Sequence, residues 1–119
     1  RKIQPDCVLS IHQNSYPEEA IHGAQVFYYE DSSEGKKLAE ILQKHLVEVL
    51  DKENHRQAKG NRTYYMLKKT EATLVIVECG FLSNNQEALL LTDEKYQNKV
   101  AKAICSGTLE YLSSLAEKK

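Results

Sequence analysis

The sequence predicts an α/β domain of three layers, an open mixed sheet with helices on both faces. Two apolar runs of strand length and two long helical stripes carry that reading. Leu74-Val75-Ile76-Val77 runs without alternation into Glu78, the pattern of a strand covered on both faces in the middle of an α/β sheet. Cys7-Val8-Leu9-Ser10-Ile11 runs into His12 in the same way. Leu38, Ile41, Leu42, Leu46, Val49 and Leu50 repeat at helical spacing, and so do Tyr96, Val100, Ala103, Ile104, Gly107, Tyr111, Leu112 and Leu115. Each set makes one apolar face that must be covered by a sheet or another helix.

Taken in order, Arg1 to Pro5 reads as the tail of an element, and the first strand follows at about Cys7 to Ile11. Ser15 to Glu19 has the turn chemistry of a loop, with Pro17 fixing the chain and removing a donor. Ala24 to Tyr29, rich in Val and aromatics, reads as the second strand. Asp31, Ser32, Ser33 and Glu34 supply N-cap candidates and a first-turn acid for the helix that runs to Leu50. Asp51 to Thr63 is polar, has no apolar period and reads as a surface loop. Tyr64 to Leu67 fits a third strand, where the two tyrosines suit either packing or stacking on a sugar. Asn84 with Glu87 forms a capping-box pattern for a short helix through Leu91. Thr92, Asp93 and Glu94 cap the last helix, and Gly107 on its apolar face predicts close approach to a neighbour, since glycine there costs the helix about 1 kcal/mol relative to alanine.

A chain of 119 residues, 41% of them hydrophobic, makes one domain or part of one. Its 16 basic and 17 acidic residues are not gathered into runs, so nothing indicates a nucleic-acid partner. No apolar stretch approaches the roughly 20 residues that cross a bilayer. Cys7, Cys79 and Cys105 are too few and too widely spaced for a disulfide framework or a zinc ribbon. Cys7 and Cys105 read as small core residues.

Chemistry is expected where the two apolar runs stop. Ligands of open α/β sheets collect outside the carboxyl ends of the strands. A metal ligand at His12 and an acid/base group at Glu78, on strands that end side by side, would make a hydrolytic site. The bland alternatives are a loop histidine and an acid that tops its strand in water. His45 falls on or beside a helical stripe, His55 in a polar loop and His22 in a turn before Gly23, so none of these reads as a ligand.

Ser10-Ile11-His12-Gln13-Asn14, followed by Val75-Ile76-Val77-Glu78-Cys79-Gly80-Phe81-Leu82-Ser83-Asn84, resembles the zinc-dependent N-acetylmuramoyl-L-alanine amidases of the amidase type 3 family. The resemblance covers nearly the whole chain. His22-Gly23-Ala24-Gln25-Val26-Phe27-Tyr28-Tyr29 is most similar to the spore-cortex branch, which prepares cortex for muramic lactam formation. Thr73 stands where the family usually has proline.

The resemblance implies that residues 1–119 are the carboxyl-terminal portion of one amidase catalytic domain, with its amino-terminal part absent. It implies Zn2+ as cofactor and His12 as one ligand, the other two, a histidine and a glutamate, belonging to the absent part. Glu78 would be the catalytic acid/base. Peptidoglycan would be the partner and the cell envelope or spore cortex the location, with the chain inactive by itself. Asn14 matches the family's Asn after the histidine and serves equally well as a turn residue. Two other readings stay open: a thiol amidase with Cys79 as nucleophile and His12 as base, and a non-catalytic wall-binding or partner-binding piece.

Overall fold

The computed structural model describes residues 7–14, 23–62, 72–81 and 93–117, with side chains described except at 12–14 and 80–81. The elements are β1 (Val8–Asn14), β2 (Gln25–Tyr29), α1 (Ser33–Leu50), β3 (Lys59–Asn61), β4 (Leu74–Phe81) and α2 (Glu94–Glu117). They form one mixed sheet in the order β1-β4-β2-β3. β4 is parallel to β1 and antiparallel to β2, and β2 is parallel to β3. The unbroken apolar run of β4 is thus the run of a central strand. The expected loop after Pro17, the third strand at Tyr64–Leu67 and the helix from Asn84 through Leu91 lie outside the described residues, as does His22.

The two faces of the sheet carry different clusters, because successive side chains of a strand alternate. Val75, Val77 and Cys79 join Val26, with Leu9 packed alongside, beneath α1 and α2 in the main core. Leu74 and Ile76 lie on the other face with Val8, Phe27 and Tyr29. Both described helices therefore cover the same face. On the opposite face no helix stands among the described residues.

Local chemistry sets the helix starts. The Ser32 hydroxyl accepts the Gly35 N–H at 2.9 Å at the head of α1, and the Asp93 carboxylate accepts the Lys95 N–H at 2.9 Å at the head of α2; both satisfy donors that a helix leaves open. Of the α1 stripe, Leu38, Leu42 and Leu46 are fully buried. Val49 is an exception at 42% exposed, because it lies beyond Leu46, the last fully buried residue of the helix. The α2 stripe buries Val100, Ala103, Gly107 and Tyr111, and the Tyr111 hydroxyl donates to Glu34 at the start of α1 at 2.8 Å.

Two further expectations are corrected. Cys105 is exposed and is no core residue, since its helical phase falls off the stripe set by Ala103 and Gly107. Lys59–Asn61, expected in a loop, pairs with Phe27–Tyr29 as the short β3. Backbone pairing makes that strand without any apolar pattern to announce it.

Gly107 meets the close approach expected of it. A Cβ there would lie 2.8 Å from Leu42 Cδ2 and 3.4 Å from the Leu42 backbone. Gly107→Ala should therefore destabilise the fold, although alanine is the better helix former by about 1 kcal/mol. Overpacking a filled core costs about 1–3 kcal/mol, and Leu42 is fully buried. A lower midpoint in urea denaturation is the expected result; a higher one would mean that the two helices separate freely at this contact.

Candidate active site

Glu78 and His12 lie inside their strands, three and two residues before the ends, where the sequence suggested that the strands stop on them. Each strand runs on because the other pairs with it: the β1–β4 register continues from Val8↔Leu74 through His12↔Glu78 to an irregularity before Asn14↔Phe81. On its other side Glu78 is the partner of Gln25. His12, Glu78 and Gln25 thus form one row across three adjacent strands. With neighbouring strands about 4.8 Å apart, both outer residues have backbones within reach of a common small ligand beside Glu78. The separation is far below the roughly 12 Å at which a metal ligand and a base could no longer share one water.

Glu78 shares its face with Leu74 and Ile76, opposite the helices, and has no exposed surface. An acid that merely tops its strand in water is thereby ruled out. Burial of an ionisable group at this depth is uncommon and concentrates at functional positions. Cys79, the next residue, points the other way and belongs to the main core at 6% exposed. Its thiol is pushed up to about 11, first by burial and then by the Glu78 charge. A thiolate at neutral pH is disfavoured accordingly, and the thiol stands on the wrong face to meet a group beside Glu78.

The β2 side of the row holds residues that the sequence reading passed over. Gln25 is 8% exposed; its Nε2 donates to the Gln57 carbonyl at 2.8 Å and its Oε1 accepts from Arg56 Nη1 at 2.7 Å. Beyond the reach of β3, the edge of β2 is completed by a side chain. Gln43 of α1 accepts the Val26 N–H at 2.8 Å and donates to the Ala24 carbonyl at 3.0 Å, as a strand neighbour would. Asn54 donates to the same carbonyl at 3.1 Å and accepts the Arg56 N–H at 2.9 Å. Gly23, at φ 97°, brings its backbone against Asn54, where a Cβ would lie 2.9 Å from Oδ1. The available signal was a lone polar residue in each of two apolar patterns, Gln25 in a Val- and aromatic-rich strand and Gln43 in a leucine stripe.

His45 and His55 stay apart from this row. His45 Nε2 lies 2.8 Å from Glu110 Oε1 and joins the two helices. His55 is exposed in the segment after α1. Among the described residues no group of three His, Cys, Asp or Glu side chains is placed to hold a metal ion. The described donors thus do not by themselves make a zinc site. Nor, among the described residues, is any helix long and apolar enough to cross a membrane.

A family model described as N-acetylmuramoyl-L-alanine amidase matches residues 1–110. The germination-specific N-acetylmuramoyl-L-alanine amidase of Bacillus subtilis is 37% identical over 110 residues, covering 92% of this chain and 46% of that protein. The structure of the CwlD amidase from Clostridioides difficile in complex with the GerS lipoprotein superposes with a TM-score of 0.88 at 43% identity, over 92% of this chain and 55% of that one. An N-acetylmuramoyl-L-alanine amidase from Clostridium difficile 630 gives a TM-score of 0.84 at 28% identity, over 92% and 59% of the two chains. The chain spans about half the length of the germination-specific relative. The spore-cortex resemblance read from residues 22–29 agrees with that relative.

Proposed function

The chain belongs to the N-acetylmuramoyl-L-alanine amidase family, and from that premise we propose that it contributes the acid/base half of a site that hydrolyses the amide between N-acetylmuramic acid and L-alanine in peptidoglycan. The single observation that carries the reading is the register that sets His12 opposite the buried Glu78. Zinc is the proposed cofactor, with His12 as one ligand and the remaining ligands outside the described residues. When bound, zinc polarises the scissile carbonyl and lowers the pKa of water towards neutrality.

This chain's own part is proton movement. Glu78 takes a proton from the attacking water and returns it to the nitrogen of the leaving amine, so that L-alanine departs as a neutral amine and not as an amide anion. Burial keeps bulk water from competing for that proton. Likeness to the germination-specific relative supports action on spore cortex, outside the cytoplasm. The complex of a similar amidase with a lipoprotein supports a protein partner as well.

Chelation tests this reading against a thiol mechanism. In a full-length version of the protein that carries the remaining ligands, a zinc chelator should stop release of L-alanine-terminated stem peptides from cell-wall polymer, and added zinc should restore it. Cys79→Ala should leave the rate within about twofold, since a group so far from ionisation at neutral pH contributes little as a nucleophile. Turnover that survives the chelator and vanishes with Cys79→Ala would reverse the assignment.

A further inference from the structure

Gln25 is the partner of Glu78 on β2, on the face that carries Phe27 and Tyr29. It is a buried amide whose two ends are both engaged, Oε1 by the Arg56 guanidinium and Nε2 by the Gln57 carbonyl. We propose that Gln25, clamped by Arg56, is a positioning residue for the Glu78 carboxylate. The proposal rests on the acid/base role given to Glu78 above.

A glutamate side chain turns about three bonds, and a base must be held within about 0.5 Å of its working position. Directly opposed residues of an antiparallel pair have Cβ atoms about 4.5–5.5 Å apart, so the side chain at position 25 is the nearest wall Glu78 has on the β2 side. A glutamine with free ends would be a soft wall, because its own rotamers exchange. Anchored at both ends and shut off from water, this one is stiff, and the bond from Arg56 is of the stronger, charge-assisted kind.

A tether for the loop alone would not need this arrangement. Asn54 already fastens the segment to Ala24 and to the Arg56 backbone, and β3 fastens it again to β2. The Gln25 bonds are the ones that end on the row of Glu78. A buried amide is costly unless its groups are paired, and here the pairing is made by a residue of the loop, at a position where an apolar side chain would have served the sheet.

The test is a double-mutant cycle in a full-length, zinc-loaded version of the protein. Gln25→Ala and Arg56→Ala should each lower kcat about tenfold, as small misplacements of reacting groups do, with KM and bound zinc unchanged. Arg56→Lys, which keeps one N–H for Gln25, should recover part of the loss. In a Glu78→Gln background neither alanine change should lower the residual rate further, because residues acting through one group are not additive. Losses that multiply in that background, or a rise in KM with kcat intact, would overturn the positioning role alone. A Glu78→Gln protein that turns over normally would overturn the role of Glu78 and this proposal with it. Where an alanine variant fails to fold, Arg56→Met and Gln25→Met, which keep side-chain length without the polar ends, carry the same cycle with the same criteria.

Discussion

In a full-length, zinc-loaded version of the protein, Glu78→Gln is expected to lose about 10²–10⁴-fold in amide hydrolysis, the usual worth of a general acid or base, while its zinc stays bound. The substitution is close to isosteric, so a side chain buried in a central strand can be exchanged without opening a cavity. What disappears is the ability to take a proton from water and pass it on. The measurements are release of stem peptide together with metal content. Zinc lost along with activity would move Glu78 into the ligand set, and unchanged turnover would remove it from the chemistry.

The second large effect is expected of the 119-residue polypeptide by itself, which should hold zinc weakly and release no stem peptide. It has four histidines. His45 is engaged with Glu110 between the helices, His55 is exposed in the segment after α1, and His22, outside the described residues, is expected in a turn before Gly23. One imidazole from His12 makes a poor site, because zinc affinity comes from several deprotonated ligands assembled in fixed geometry. Dialysis against zinc, removal of free metal and measurement of what remains would check it, with His12→Ala as the reference for a chain without that ligand. Tight stoichiometric zinc with turnover would show that the ligand set lies within these residues.

How far the sequence disclosed this arrangement depended on whether a feature had a period. The apolar run from Leu74 to Val77 placed β4 in the middle of the sheet, and the stripes of α1 and α2 identified seven of the ten buried positions of the two helices, missing Gly35, Ala39 and Gln43, because burial imposes spacing. Gly107 was legible for a similar reason, since glycine on an apolar helix face is costly without a close neighbour. β3 was not legible: it is held by backbone bonds, which any side chain tolerates. Cys105 was misread because chemical type was given more weight than helical phase. The row His12–Glu78–Gln25 was legible in part. Two members follow apolar runs, whereas the third depends on the register of an antiparallel pair and on Arg56, and neither has a signature in local sequence.

Glu78 and His12 are neighbours in the sheet yet stand more than half the chain apart in sequence, and β4 is the strand between β1 and β2. That order has a kinetic consequence. During synthesis β1 and β2 are made first and have no strand between them until residues 74–81 emerge, so β1 waits without its partner on β4. Loop closure over so long a span must precede the contacts that reward it, and parallel non-local pairing is slow for that reason. The last described strand of the chain to be made is therefore the one that joins β1 to β2, and the row containing Glu78 comes into being only with it. Until then the open edges of the earlier strands are where a stalled or truncated chain will aggregate.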